Sequence, residues 1–165
     1  MSRYVEIKPA SNSATTYIAA NLREPDVTEF RATFGQLDYS AVMLAATDRS
    51  WPFAYTAWVA EQPVFLFGVL STPEHPHIGV AWGMGTNKAK RAIPGVTRFI
   101  TQQMIPMLRD RGIRRVEVRA IKSNDFATRW IAEALGAEFE GELPEFGFQG
   151  ETFLQFAWTK RKFHV

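Results

Sequence analysis

The sequence predicts an α/β fold: a single domain over residues 1–165, with a mixed, mostly antiparallel central sheet and helices on both faces. Three features of the chain lead there. Segments of strand and helix periodicity follow one another as strand, helices, three strands, helix, strand, helix, strand, strand. Two of the strands, Phe53 to Val59 and Val64 to Leu70, flank Glu61-Gln62-Pro63 and so form a hairpin. Between Arg114 and Glu138 a strand runs into a Ser-Asn-Asp cap, a helix follows at once and stops at Leu135-Gly136, and another strand begins.

Taken in order, Tyr4 to Lys8 alternates and reads as the first strand. Ser13 to Leu22 is a short helix with a serine start. Glu24-Pro25-Asp26 opens a second helix, with proline where the amide is not needed and acids near the positive helix end. Val27, Phe30, Arg31 and Phe34 have its spacing, and Gly35 ends it. Asp38 to Thr47 is a third helix with an apolar face of Val42, Leu44 and Ala45. After the hairpin, Ile78 to Met84 is a strand whose Gly79 and Gly83, with Gly85 just beyond, call for a bulge or a close backbone approach. Pro94 opens a long helix to about Arg111, capped by Gly112, with a buried stripe of Val96, Phe99, Ile100, Met104, Met107 and Leu108. Pro106 must kink or split it, because the ring clashes and donates no hydrogen bond. The Arg115 to Ile121 strand, the Asp125 to Leu135 helix and strands Glu138 to Glu142 and Phe153 to Thr159 complete the chain.

Composition narrows the function. A 165-residue chain that is 46% hydrophobic and 22% charged can bury a real core. No apolar run approaches the roughly 20 residues a membrane span needs, and the opening Met-Ser-Arg-Tyr-Val-Glu lacks the apolar core of a secretion signal. Without cysteine there is no disulfide, thiol nucleophile or cysteine metal site. His75-Pro-His77 has no spaced third ligand, so no metal is expected. Net charge is +2 but falls in blocks: −3 over residues 1–87, +8 over 88–129, −6 over 130–159 and +3 in the tail Lys160-Arg161-Lys162. Such blocks suit complementary faces of a fold or protein partners. The basic block also suits a polyphosphate such as coenzyme A. Nucleic acid is disfavoured, because no stacking-aromatic motif or groove-reading helix accompanies the charge.

The strand, Asn124, helix, Leu135-Gly136, strand order resembles the second half of GNAT-type acyl-CoA N-acyltransferases, and the element order is theirs throughout. In that family the Asn sits where two central strands splay apart and the cofactor lies. The resemblance implies a pyrophosphate loop between the fourth strand and the long helix, whose amides meet the phosphates. Here that loop reads Thr86-Asn-Lys-Ala-Lys-Arg-Ala-Ile-Pro-Gly-Val, so only Gly95 of the family's glycines remains. The cofactor-binding candidates are therefore Gly85, Thr86, Lys88, Lys90, Arg91, Gly95 and Asn124, with Asn124 equally suited to capping its helix. The Asn-to-Gly spacing is one residue longer than the family's, so the position of its proton-donating Tyr falls on Ile131 or Ala132, neither of which can donate. No acid on Ile78 to Met84 can act as a base, and Glu117 reads as an exposed or ion-paired strand residue. Trp51, Phe53, Tyr55, Trp58 and Trp82 suit a ligand slot or, more simply, core.

A narrower resemblance fits these departures. Ile7 to Ala10, Asn21 to Val27, the Phe67-Gly68 hairpin close, Trp82 to Thr86 and Lys88 to Arg91 resemble, in that order, internal virion protein A of tailed bacteriophages, a GNAT-like family without the glycine-rich loop. Asn124, Arg129-Trp130, Leu135 to Ala137 and Phe153 to Phe156 continue the match. This likeness implies a virion or assembly component without acetyltransferase activity or cofactor. It would be found in the virion or the host cytoplasm, with phage structural proteins or further copies of the chain as partners. The alternative is an acetyl-CoA-dependent N-acyltransferase with an atypical loop, its catalytic residues unassigned.

Overall fold

A computed structural model describes residues 4–159. Seven strands form one sheet in the order β1-β2-β3-β4-β5-β7-β6: β1 (Val5–Pro9), β2 (Ala54–Val59), β3 (Gln62–Thr72), β4 (His75–Gly85), β5 (Arg115–Ile121), β6 (Glu138–Leu143) and β7 (Phe153–Thr159). Every neighbouring pair is antiparallel except β4 and β5. This is the mixed, mostly antiparallel sheet the sequence predicts. The Lys160-Arg161-Lys162 tail and the first three residues lie outside the described residues.

Helices cover both faces. α1 (Asn12–Ala20), α2 (Glu24–Phe34) and α3 (Tyr39–Ser50) bury Ile18, Phe30 and Met43 against Leu66 of β3. On the other face lie α4 (Ile93–Phe99), α5 (Ile105–Asp110) and α6 (Asp125–Arg129), over a larger core that includes Phe65, Phe67, Val96, Val118 and Ile131. Asp38 accepts from Ala41 N and Gly35 ends α2 at φ 68°, as the sequence suggests, whereas the serine that caps α1 is Ser11, accepting from Ala14 N, so that helix starts earlier than Ser13.

Two expectations about helix faces change. On α3 the buried stripe is Met43, Thr47 and Ser50, whereas Ala45 is exposed and Val42 and Leu44 are half-buried. The polar members are hidden because their hydroxyls are satisfied: Thr47 Oγ1 donates to Met43 O at 2.8 Å, and Ser50 Oγ accepts from Trp82 Nε1 at 2.8 Å. On α2, Arg31 is exposed and Asp26 is buried.

The long helix is not broken at Pro106. A π turn over Ile100–Met104 joins α4 to α5, and Pro106 falls in the first turn of α5. Widening the helix just upstream shifts the hydrogen-bond register where the proline would otherwise leave a carbonyl clash. A second π turn, Trp130–Ala134, follows α6, with Leu135 N donating to Trp130 O. It takes up the extra residue between Asn124 and Gly136, since a π turn is a one-residue insertion into an α-helix.

The β4 glycines mark close approach. A Cβ at Gly79 would meet Val69 Cγ1 at 2.5 Å, and one at Gly83 would meet the Phe65 ring at 2.8 Å. Gly95 does the same for α4: an added Cβ would lie 2.9 Å from Val5 Cβ on β1. We therefore expect Gly95→Ala to cost about 1–2 kcal/mol in urea unfolding, since overpacking against a fixed strand outweighs the better helix propensity of alanine. A neutral result would mean that α4 can slide on β1.

Candidate functional site

The site begins where the parallel pair, β4 and β5, comes apart. β4 and β5 are in register from Ile78↔Arg115 to Ala81↔Val118 and no further. Beyond that point β4 stays paired with β3 as far as Gly85, and β5 stays paired with β7 as far as Ile121. The two strands therefore diverge in the middle of the sheet, each held by its outer neighbour. Successive amides along a strand point to opposite edges. His77 O accepts from Arg114 N before β5, and Gly85 N turns to Asp26 at the far end, so the odd residues of β4 direct their backbone groups to the β5 side and the N–H of Gly83 points into the opening.

A cavity of about 300 Å³ runs through this opening and is walled from both faces. Phe65, Met104, Phe126, Trp130 and Ile131 line it on one side, and Phe34, Val42, Met43 and Phe146 on the other. Trp130 is half-buried, donates from Nε1 to Thr97 Oγ1 at 2.8 Å, and meets Phe65 edge-on. Ile131, one of the two positions aligned with the family's Tyr, faces the cavity. It supplies bulk and no proton.

α2 crosses the mouth of the opening and ties its two strands with two acids one turn apart. Asp26 Oδ2 accepts from Gly85 N at 2.7 Å and from Arg23 Nε at 2.8 Å. Arg23 N in turn donates to Gly85 O at 2.9 Å. Glu29 Oε1 accepts from Ile121 N, at the end of β5, at 2.8 Å. Burial pushes the Asp26 carboxyl up against the opposing pull of Arg23 and the Gly85 amide. It raises Glu29 further, from 4.5 to about 7; the Ile121 amide opposes the shift, the Asp26 charge adds to it and Arg23 opposes it. Among the described residues Glu29 makes no ion pair. The charged side chains lining the cavity are Arg23, Asp26, Glu29 and Arg119.

The residues singled out in the sequence are distributed as follows. Gly85 is buried, its amide is held by Asp26, and a Cβ there would meet Ala89 Cβ at 2.6 Å. Thr86 is 6% exposed, donates its amide to Val64 O and accepts from Lys88 N on Oγ1. Lys88 Nζ reaches Gln62 Oε1 at 2.7 Å. Lys90 and Arg91 are exposed on a 3-10 turn, with Lys90 Nζ 5.4 Å from the centre of the Phe126 ring. Gly95 is occupied with Val5, as described. Asn124 caps α6, its Oδ1 accepting from Ala127 N at 3.2 Å, and also lines the cavity. Of the five hairpin-region aromatics, Trp82 alone lines the cavity; Trp51 is 66% exposed.

Glu117 is ion-paired, as its strand position suggests, to Arg115 at 2.8 Å and Arg119 at 3.0 Å. Arg115 also forks onto Glu140 of β6, and Lys122 Nζ reaches Glu142 at 2.6 Å. Some members of the basic and acidic blocks thus pair with each other around β5 and β6. Among the described residues no cluster of three metal-ligating side chains occurs, and no helix is long and apolar enough to cross a membrane.

Asp26 and Glu29 were missed as site residues by sequence reasoning. The available signal was weak: an acid pair at i, i+3 just before the buried Phe30.

No family model matches the chain, and no curated protein matches it. Solved structures do. An acetyltransferase of the GNAT family from Streptococcus pneumoniae superposes with TM-score 0.67 at 14% identity, over 94% of this chain and 99% of that one. The protein yncA from Salmonella typhimurium, solved with its cofactor acetyl-CoA, gives 0.66 at 10% identity, over 98% and 96%. AAC(6')-Ib in complex with ribostamycin and coenzyme A gives 0.69 at 14% identity, over 96% and 95%. At these identities the likeness establishes the fold: the chain has the GNAT fold. The comparisons lend the virion reading no support.

Proposed function

We propose that the chain is an acyl-CoA-dependent N-acyltransferase, the reading that stood as the alternative to a virion component. The observation that carries it is the divergence of β4 and β5 into an open, apolar-walled cavity. A scaffold with no ligand would gain by closing this gap, because unfilled apolar volume costs stability. The neighbours solved with acetyl-CoA or coenzyme A support the same reading.

The residues fit an acyl-CoA. A cavity of about 300 Å³ suits a slender thioester arm, and Gly83 supplies an unhindered strand amide on its edge. Asn124 and Phe126 flank the gap, and Lys90 and Arg91 are exposed cations on the loop after β4. When bound, such a cofactor would supply an electrophilic acyl carbon and a thiol leaving group. The Gly83 amide would donate to the oxygen on which charge develops. Phe65, Met104 and Trp130 would keep water from the acyl carbon. With Ile131 at the aligned position, the thiol must draw its proton from solvent. Charge on the side chains of Lys90 and Arg91 substitutes here for loop amides of the family, since the Gly85 and Thr86 amides are engaged within the fold.

Calorimetric titration with acetyl-CoA tests the reading, with micromolar affinity expected. Lys90→Glu with Arg91→Glu should weaken that affinity about tenfold or more and leave the melting temperature unchanged, since both side chains are exposed. Unchanged affinity in the double variant would remove the loop from the site. No binding at millimolar acetyl-CoA would overturn the acyltransferase reading and turn the search to phage structural proteins.

A further inference from the structure

We infer that the Glu29 carboxylate receives the proton of the acceptor amine, and that the acceptor is a compact monoamine with an apolar or aromatic body. This rests on the acyltransferase reading and extends it to the half of the cavity walled by α2, α3 and Phe146.

Position comes first. Ile121 N fixes one oxygen of Glu29 at 2.8 Å, and the other makes no hydrogen bond among the described residues. The side chain lines the cavity that passes between β4 and β5, on the side away from Asn124 and Trp130. An amine entering from the α2 side therefore meets Glu29 before it reaches the Gly83 edge.

Charge then limits the acceptor. The other cavity acid, Asp26, has Oδ2 committed to Arg23 and to Gly85 N. Arg119 is drawn to Glu117 and Gln155 and lies with its guanidinium carbon 5.6 Å from the Phe146 ring centre. One acid without a cationic partner can accommodate one ammonium. A polycation would bury further charges with no counter-ion, at a cost that favours its exclusion. The same cavity is lined by Phe34, Val42, Met43, Trp82, Met84 and Phe146, which suit an aryl or alkyl body. Phe146 is 46% exposed at the rim, packed on Phe153 with ring centres 5.1 Å apart.

The chemistry balances. The ammonium gives one proton to Glu29 and becomes a neutral amine, whose lone pair attacks the thioester carbonyl carbon. A C–N bond forms and the C–S bond breaks, the sulfur leaving with the bonding pair. The second nitrogen proton passes through water to the sulfur, and Glu29 returns its proton to solvent. The products are amide, thiol and one proton. The charged groups that act on Glu29 are Asp26 on its own helix and Arg23 at that helix's N-cap; Arg119 on β5 lines the same cavity, and β4, α3, α6 and the Phe146 loop present no charged side chain to it. A carboxyl that titrates near neutrality is matched to this task.

Glu29→Gln tests the inference, because glutamine keeps an oxygen for Ile121 N. Acetyl-CoA affinity should stay within about twofold of wild type, while phenethylamine-dependent thiol release falls about 100-fold and its limb near pH 7 disappears. Without acetyl-CoA, calorimetry should show phenethylamine binding about tenfold weaker in the variant, and spermidine binding no tighter than phenethylamine to wild type. Equal phenethylamine binding and turnover in wild type and variant would overturn the inference and leave the acyltransferase reading standing. A preference for spermidine would overturn the acceptor class. Failure of wild type to bind acetyl-CoA would overturn both readings.

Discussion

Asp26→Ala should destabilise the fold by about 3 kcal/mol, because it removes one partner of a buried charge pair and leaves a buried amide unsatisfied. Asp26 is 4% exposed and the Arg23 side chain 14%. Their carboxylate and guanidinium meet at 2.8 Å, and the same oxygen holds Gly85 N at 2.7 Å. Arg23 N completes the clamp on Gly85 O, and Leu22 bridges Thr86 just beyond. These contacts hold the free end of β4 once β5 has left it. Asp26→Asn keeps an acceptor for Gly85 and sheds a charge that burial disfavours, and it leaves Arg23 without its counter-charge, so its cost should be well below that of alanine, about 1 kcal/mol or less. Urea unfolding separates the two. Equal costs for alanine and asparagine would assign the stabilisation to the ion pair rather than to the amide, and a cost below about 1 kcal/mol for alanine would show that β4 ends unaided.

This clamp also shows how far the sequence could be read. Strand and helix order follow from local periodicity and caps, which is why β5 and β7 are found at the residues the pattern marks. The GNAT order was legible for the same reason. The site was not, because its bonds are long-range: Asp26 to Gly85 spans 59 residues and Glu29 to Ile121 spans 92. On a helical wheel both acids belong to the solvated flank of α2, and only the divergence of two strands gives them a buried partner. Asn124 was legible as a cap, since an Asn before a helix caps it wherever it lies; its place in the cavity lining comes from the fold. The π turns were legible only as anomalies: a proline inside a helix, and one residue too many before Gly136.

The loop after β4 shows the opposite bias. Its residues look available in the sequence because glycine, threonine and lysine are common in anion sites. In the fold, Gly85 and Gly95 are there because Ala89 and Val5 leave no room for a Cβ, and Thr86 closes the β3 ladder through Val64. Packing accounts for these residues before any ligand does. Among the described residues the exposed Lys90 and Arg91 make no ion pair, Lys90 lying only over the Phe126 ring, so they are the sharper test of cofactor contact.

Glu29→Gln should raise stability at pH 8 and leave it nearly unchanged at pH 4. The folded-state carboxyl titrates near 7 against an ordinary 4.5, so its proton is held more tightly in the folded chain than in the unfolded one. The contribution to stability is fully present below about pH 4.5, declines as pH rises through the interval to 7, and is gone above it. The difference corresponds to about 3 kcal/mol at most, and less once the partial exposure of the side chain is allowed for. Glutamine carries no charge at any pH and keeps the Ile121 bond, so the variant should melt about 5–8 °C above wild type at pH 8. Differential scanning at pH 4, 6 and 8 would follow the crossover. A variant that is less stable at pH 8 would mean that the fold stabilises the Glu29 carboxylate, with its pKa below the ordinary range and the proton-acceptor role lost. A gain in stability that coincides with loss of amine turnover would show why the acid is kept: the fold holds a charge it would be more stable without, at the point where an ammonium ion must be relieved of its proton.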